Sequence, residues 1–104
     1  MVEMHPMKKL EIVVDNAALD RVTEAIEAAG AQGYTILPEV AGKGHHGERS
    51  VSDDLYDTFR NAMIVVVAPP DVVAEIVERL QDLFGTYAGV LYTSDVQVAR
   101  PEYF

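Results

Sequence analysis

The chain has 104 residues, of which 49% are hydrophobic and 24% charged, and it carries a formal charge of −9. That length predicts a single domain spanning residues 1–104, and the balance excludes intrinsic disorder. The acidic surface repels phosphate backbones and argues against nucleic acid as a partner. Cysteine is absent, which excludes disulfides, zinc–thiolate sites and thiol catalysis. Met1–Leu10 holds two lysines but no apolar stretch after them, so no secretory leader is expected. The longest apolar run, Ala62–Pro70, is far too short to span a bilayer. These features predict a cytoplasmic protein that is not membrane-embedded.

Lys8–Val14 alternates, with Leu10, Ile12 and Val14 set against Lys9, Glu11 and Val13, and this period of two predicts a strand. Asp15 or Asn16 suits the cap of a following helix. Leu19, Val22, Ile26 and Ala29 recur at helical spacing, and Gly30 closes that helix. Gly33–Ala41 reads as a second strand; Pro38 offers no ladder donor, so the strand is an edge or is bent there. Residues 42–57 show no periodicity and form one long exposed loop, a length that in a compact domain points to function. Thr58–Ala68 is the third strand, stopped by Pro69-Pro70. Val73, Ile76, Val77, Leu80, Leu83 and Phe84 form the stripe of a second helix, with Pro70 at its first position and Gly85 at its end. Gly89–Ala99 is the fourth strand, and Arg100–Phe104 a short tail.

The order β-α-β-β-α-β predicts an α+β, ferredoxin-like sandwich. Two helices cover one face of a four-stranded sheet. The other face carries apolar residues of the third strand and Val90, Leu91 and Tyr92 of the fourth, so self-association through it is expected.

Within the loop, Gly42, Lys43 and Gly44 followed by Arg49 combine glycines, which let backbone N–H groups approach an anion, with cations suited to phosphate. The same glycines also make an ordinary flexible turn. No Walker A ending follows. His45-His46 lacks evident third and fourth ligands, so no metal site is expected. No nucleophile, base and orienter recur together, so the chain is not expected to be an enzyme.

Together, the run Gly33-Tyr34-Thr35-Ile36-Leu37-Pro38-Glu39-Val40-Ala41-Gly42-Lys43-Gly44, the spacing to Arg49, and Phe84-x-x-Tyr87-Ala88-Gly89-Val90-x-Tyr92 resemble the PII superfamily. The likeness is to its PII-like branch associated with bicarbonate transport and carboxysomes. It implies a homotrimer with inward-facing sheets and nucleotide sites in the clefts between subunits, and it makes residues 42–57 a T-loop between the second and third strands. Gly33, Tyr34 and Thr35 would line the base end, and Gly42, Lys43, Gly44 and Arg49 would approach phosphate. Tyr87, Ala88, Gly89 and Val90 would form a shortened B-loop from the neighbouring subunit, with Arg100 reaching the cleft. The Thr-Gly-x-x-Gly-Asp-Gly-Lys phosphate loop of classical members is absent, which places ADP and AMP beside ATP as ligands. Bicarbonate is a further candidate ligand, and no permanently bound cofactor is expected.

The resemblance therefore implies a signal-transduction protein that senses an adenine nucleotide and acts on a protein in inorganic-carbon metabolism or carbon fixation, such as a bicarbonate transporter or a carboxysome-related protein. The alternatives are a divalent-cation-binding trimer of related fold, resting on His45, His46 and His5, and a slow nucleotide hydrolase.

Overall fold

The computed structural model describes residues 1–42 and 60–104. The expected loop residues 43–57, with the first residues of the expected third strand, lie outside the described residues. The elements run β1 (His5–Asp15), α1 (Leu19–Ala28), β2 (Thr35–Val40), β3 (Asn61–Ala68), α2 (Pro70–Leu80) and β4 (Gly89–Val98), so the α+β ferredoxin-like order stands. The four strands form one antiparallel sheet in the order β2-β3-β1-β4.

The alternation in β1 and β3 decides what faces the helices. Leu10, Ile12 and Val14 of β1 and Ala62, Ile64 and Val66 of β3 are buried. They meet Val22 and Ile26 of α1 and Val73, Ile76 and Leu80 of α2 in a single apolar layer. Each large side chain buried in this way contributes about 1.5–3 kcal/mol relative to exposure.

The helix ends follow local chemistry. The Asp15 carboxylate accepts a hydrogen bond from Ala17 N at 2.9 Å and so caps a 3₁₀ turn, Asn16–Ala18, that leads into α1. At the far end Gly30 adopts φ +91°. Its N–H donates to Glu27 O at 3.0 Å, and Ala31 N donates to Ile26 O at 3.3 Å. This is the left-handed C-terminal closure that favours glycine. Pro70 opens α2, with Asp71 in its first turn and Arg79 in its last, each placed favourably for the helix dipole.

Several boundaries differ from the sequence-based expectation. β1 begins at His5, three residues early, because His5, Pro6 and Met7 pair with Val98, Gln97 and Val96 of β4. β2 begins at Thr35 rather than Gly33. It is an edge strand, and its register shifts between Leu37 and Val40, on either side of Pro38. Continuous α-helix stops at Leu80, and Leu83–Gly85 form a separate 3₁₀ turn. That turn brings Phe84 under Gly89 and beside Val14.

On the sheet face opposite the helices, β3 presents Met63, Val65 and Val67, and β1 presents Lys9, Glu11 and Val13. Leu37 of β2 and Val90 and Tyr92 of β4 share that face and are exposed. The expectation of an apolar second face therefore needs two corrections: Lys9 and Glu11 sit within it, and Leu91, opposite Ile12, turns instead to the helices.

The Gly89 position is sterically closed. A Cβ built there would lie 2.7 Å from a ring carbon of Phe84 and 2.9 Å from a methyl of Val14. Gly89→Ala should destabilise the protein by about 1–3 kcal/mol through overpacking. Gly85→Ala, where a Cβ meets nothing within 4 Å, should cost far less. Urea denaturation of both variants checks this; equal midpoints would show that Phe84 yields without cost.

Candidate functional site

The end of β1 organises the candidate site. Asp15 N donates to Ala88 O at 3.3 Å, and Asn16 N donates to Arg60 O at 2.7 Å. Thus one short stretch holds both the turn before β4 and the chain segment entering β3. Val40 pairs with Asn61, so Gly42, just past β2, lies at this same end of the sheet. Lys43, Gly44 and Arg49 lie outside the described residues, as do His45 and His46.

The turn before β4 is built by tight backbone bonds. Thr86 N and Tyr87 N both donate to Leu83 O at 3.0 Å. Tyr87 packs against the core, and the Arg21 guanidinium carbon lies 5.9 Å from its ring centroid. Gly89 begins β4 opposite Val14, and Val90 follows on the open face opposite Val13.

Gly33, Tyr34 and Thr35 occupy a different place. Thr35 pairs with Val65, midway along β3 on the outer edge of the sheet. A Cβ at Gly33 would meet nothing within 4 Å, so open space lies there. The Tyr34 hydroxyl donates to Glu27 of α1 at 3.2 Å, and this bond to a carboxylate raises the phenol pKa.

Arg100 stands apart from both groups. It follows β4 and stands eleven residues beyond Gly89, roughly 35 Å away at about 3.3 Å per residue. Its guanidinium donates to the Tyr103 hydroxyl at 2.7 Å and covers that ring at 4.3 Å from the centroid. The β2 and β4 edges are three strand spacings apart, or roughly 14 Å at about 4.8 Å each. One chain therefore gathers Gly42, Ala88, Gly89 and Val90 at one end, sets Gly33–Thr35 on an edge, and leaves Arg100 at the other end.

A further cluster escaped the sequence reading. On the open face the Tyr92 hydroxyl donates to Glu11 at 3.0 Å, and Lys9 Nζ lies 2.9 Å from the other Glu11 oxygen. The Lys9 hydrogen bond, followed by that of Tyr92, holds the Glu11 carboxyl below its ordinary pKa, against the opposing effect of burial. Glu11 in turn raises the Tyr92 phenol. The alternation of β1 already put Lys9 and Glu11 on one face; Tyr92 joins them only through the β1–β4 register.

Among the described residues no group of three or more His, Asp or Glu side chains could hold a metal ion, and His5 stands at the first position of β1. No helix among them is long and apolar enough to cross a membrane.

The fold, one antiparallel four-stranded sheet covered by two helices on one face and open on the other, is that of a small α+β ferredoxin-like domain. Residues 7–103 match the family described as nitrogen regulatory protein P-II. The chain belongs to that family. A nitrogen regulatory protein P-II of Cereibacter sphaeroides is 37% identical over 78 residues, covering 71% of this chain and 69% of that protein. The structure of CPII bound to ADP and bicarbonate, from Thiomonas intermedia K12, is 35% identical and superposes with a TM-score of 0.84 over 100% of this chain and 99% of that one. A second structure of CPII, bound to ADP, AMP and bicarbonate, is 32% identical with a TM-score of 0.80, over 98% of this chain and 100% of that one.

The Glu11 cluster yields a prediction about proton binding. Ionised Glu11 is favoured in the fold, so its contribution is present above the ordinary carboxylate pKa and is lost as pH falls through the lowered folded value. Lys9→Met should move the Glu11 pKa up toward the ordinary value, and Tyr92→Phe should do so to a smaller extent. Carboxyl carbon NMR titration reads both; an unmoved Glu11 in Lys9→Met would mean that Lys9 is not the cause.

Proposed function

We propose that this chain is a PII-like signal-transduction protein. It binds ADP or AMP, with ATP as a further ligand, in clefts between the subunits of a homotrimer. The observation that carries this reading is the dispersal of the candidate residues. Gly42 and Ala88–Val90, Gly33–Thr35, and Arg100 lie too far apart in one chain to meet around one nucleotide. Adjacent subunits packed through their open sheet faces can bring the separated groups together. The ligands of the CPII structures, ADP, AMP and bicarbonate, support the nucleotide class and add bicarbonate as a second ligand here.

The roles follow from residue chemistry. Gly33, Tyr34 and Thr35 line the base end of the cleft, where open space at Gly33 admits a flat ring. Gly42, Lys43, Gly44 and Arg49 hold phosphate. Tyr87, Ala88, Gly89 and Val90 close the cleft beside Gly42, at the same end of the sheet, and Arg100 approaches it from the neighbouring subunit. Nucleotide and bicarbonate order the T-loop through new charge contacts, and the ordered loop acts on a partner in inorganic-carbon metabolism. That partner is a bicarbonate transporter or a carboxysome-related protein. Binding rather than turnover is the activity.

Sedimentation should give a trimer at micromolar concentration; a clean monomer would remove the inter-subunit cleft. Charge-assisted contacts to phosphate contribute about 1.5–3 kcal/mol, so Lys43→Ala or Arg49→Ala should weaken ADP about ten-fold or more. Adenosine, which lacks phosphate, should lose little. Calorimetric titration of both ligands is the check, and equal losses would mean that these side chains shape the pocket rather than hold phosphate.

A further inference from the structure

On the helical side of the molecule, away from the open sheet face, α1 and the end of α2 border a cavity of about 350 Å³. Its polar wall consists of Arg21, Arg79, Asp82, Thr86 and Tyr87. Leu80 and Leu83 give it an apolar floor.

The charge at this wall runs against that of the whole chain. The chain holds eight Lys and Arg residues against seventeen Asp and Glu, yet two arginines line one cavity. Lys8 and Lys9 each sit beside a carboxylate, Asp95 and Glu11 respectively. Arg21 has no carboxylate partner among the described residues. Instead its guanidinium lies over the Tyr87 ring, 5.9 Å from the centroid. That cation–π contact places the guanidinium beside the ring and leaves its N–H donors open to a ligand. Arg79 is oriented by one bond from Nε to Glu75 at 3.0 Å, one turn earlier on α2. Its terminal N–H groups make no hydrogen bond among the described residues. Two guanidinium groups, each held in place by one contact and each with donors to spare, form a fork suited to phosphate oxygens.

Asp82 narrows the choice of anion. Its carboxylate repels a fully ionised group but accepts a hydrogen bond from one that carries a proton or a hydroxyl. The Thr86 hydroxyl donates or accepts as required. A volume of about 350 Å³ falls at the lower end of the usual range for small-molecule sites.

We propose that this cavity is a second ligand site, meeting the nucleotide cleft only at Tyr87, for a small phosphate group that bears a hydrogen-bond donor: inorganic phosphate or a small phosphate monoester. Arg21 and Arg79 hold the phosphate oxygens, and Asp82 accepts the ligand's hydrogen. The site stands on the cavity and its side chains and does not require the nucleotide reading.

The test uses the full chain without nucleotide, at pH 7 and constant ionic strength, titrated separately with sodium phosphate, glycerol 3-phosphate and sodium sulfate. Nitrogen–proton NMR follows the Arg21 and Arg79 Nε–H signals and the Thr86 and Tyr87 amides. Saturable shifts at these four residues with phosphate or glycerol phosphate, and weaker binding of sulfate, are expected. Tighter binding of glycerol phosphate than of phosphate assigns the site to a phosphorylated metabolite, and the reverse assigns it to the free ion. Arg21→Gln and Arg79→Gln should each weaken binding by about ten-fold. Asp82→Asn should bring sulfate up to the level of phosphate. ADP affinity should be unchanged in Arg79→Gln, which does not touch Tyr87. Non-saturable shifts, or unchanged phosphate affinity in the double arginine variant, would overturn the proposal. A parallel loss of ADP in Arg79→Gln would also overturn it, by merging the cavity with the nucleotide cleft.

Discussion

β1 is paired on both sides for most of its length, with β3 from Lys8 to Asp15 and with β4 from His5 to Val14. Its inward residues Leu10, Ile12 and Val14 are fully buried, so the strand cannot slip by one residue without exposing all three. That constraint propagates. It sets β3 and β4 in register, fixes which of their side chains meet the helices, and delivers Asp15 and Asn16 to the end of the sheet. There the two backbone N–H groups bind Ala88 and Arg60, and the turn before β4 and the start of β3 take their positions from those bonds. The placement of Gly42 and of the turn before β4 is thus inherited from the strand that pairs on both sides.

The two faces of β1 have opposite characters. The one toward the helices is apolar from Leu10 to Val14, with Lys8 at its end paired to Asp95. The other carries Lys9, Glu11 and Tyr92 in a hydrogen-bonded group among valines and Met63. Ion pairs drawn out of water often gain little net stability, because desolvation offsets the attraction. A polar group in an apolar surface does, however, constrain which surface can lie against it, since its donors and acceptors must be met. This gives the open face a chemical pattern that a uniformly apolar sheet would lack.

Most of the fold was legible because each element buries one side. Period two in Lys8–Val14 and helical spacing from Leu19 and from Val73 survived into the structure, as did Gly30 as a helix closure. Features decided by long-range pairing were not legible. His5, Pro6 and Met7 enter β1 only because β4 is long enough to meet them. Leu83 and Phe84 continue the helical stripe in sequence, but the need to place Phe84 beneath Gly89 draws them into a separate turn. For the candidate site, the sequence grouped Gly33–Thr35, the turn at Tyr87 and Arg100 by likeness. It carried no signal that one chain holds them at separate corners of the sheet. The contact of Arg21 with Tyr87 was equally hidden, since it joins α1 to the turn before β4.

The β2 edge carries a consequence for solubility. An outer strand with an unbroken row of free N–H and C=O groups is a template on which another chain can add a strand. Here that row is interrupted. Pro38 supplies no N–H, and Glu39 adopts φ 56°, a left-handed conformation uncommon outside glycine. The pairing register shifts at the same place. Ladder growth from β2 therefore stalls after about three residues, although Ile36 and Leu37 are exposed beside it. The β2 edge is thereby a poor template for an added strand, even though it borders an exposed apolar sheet face.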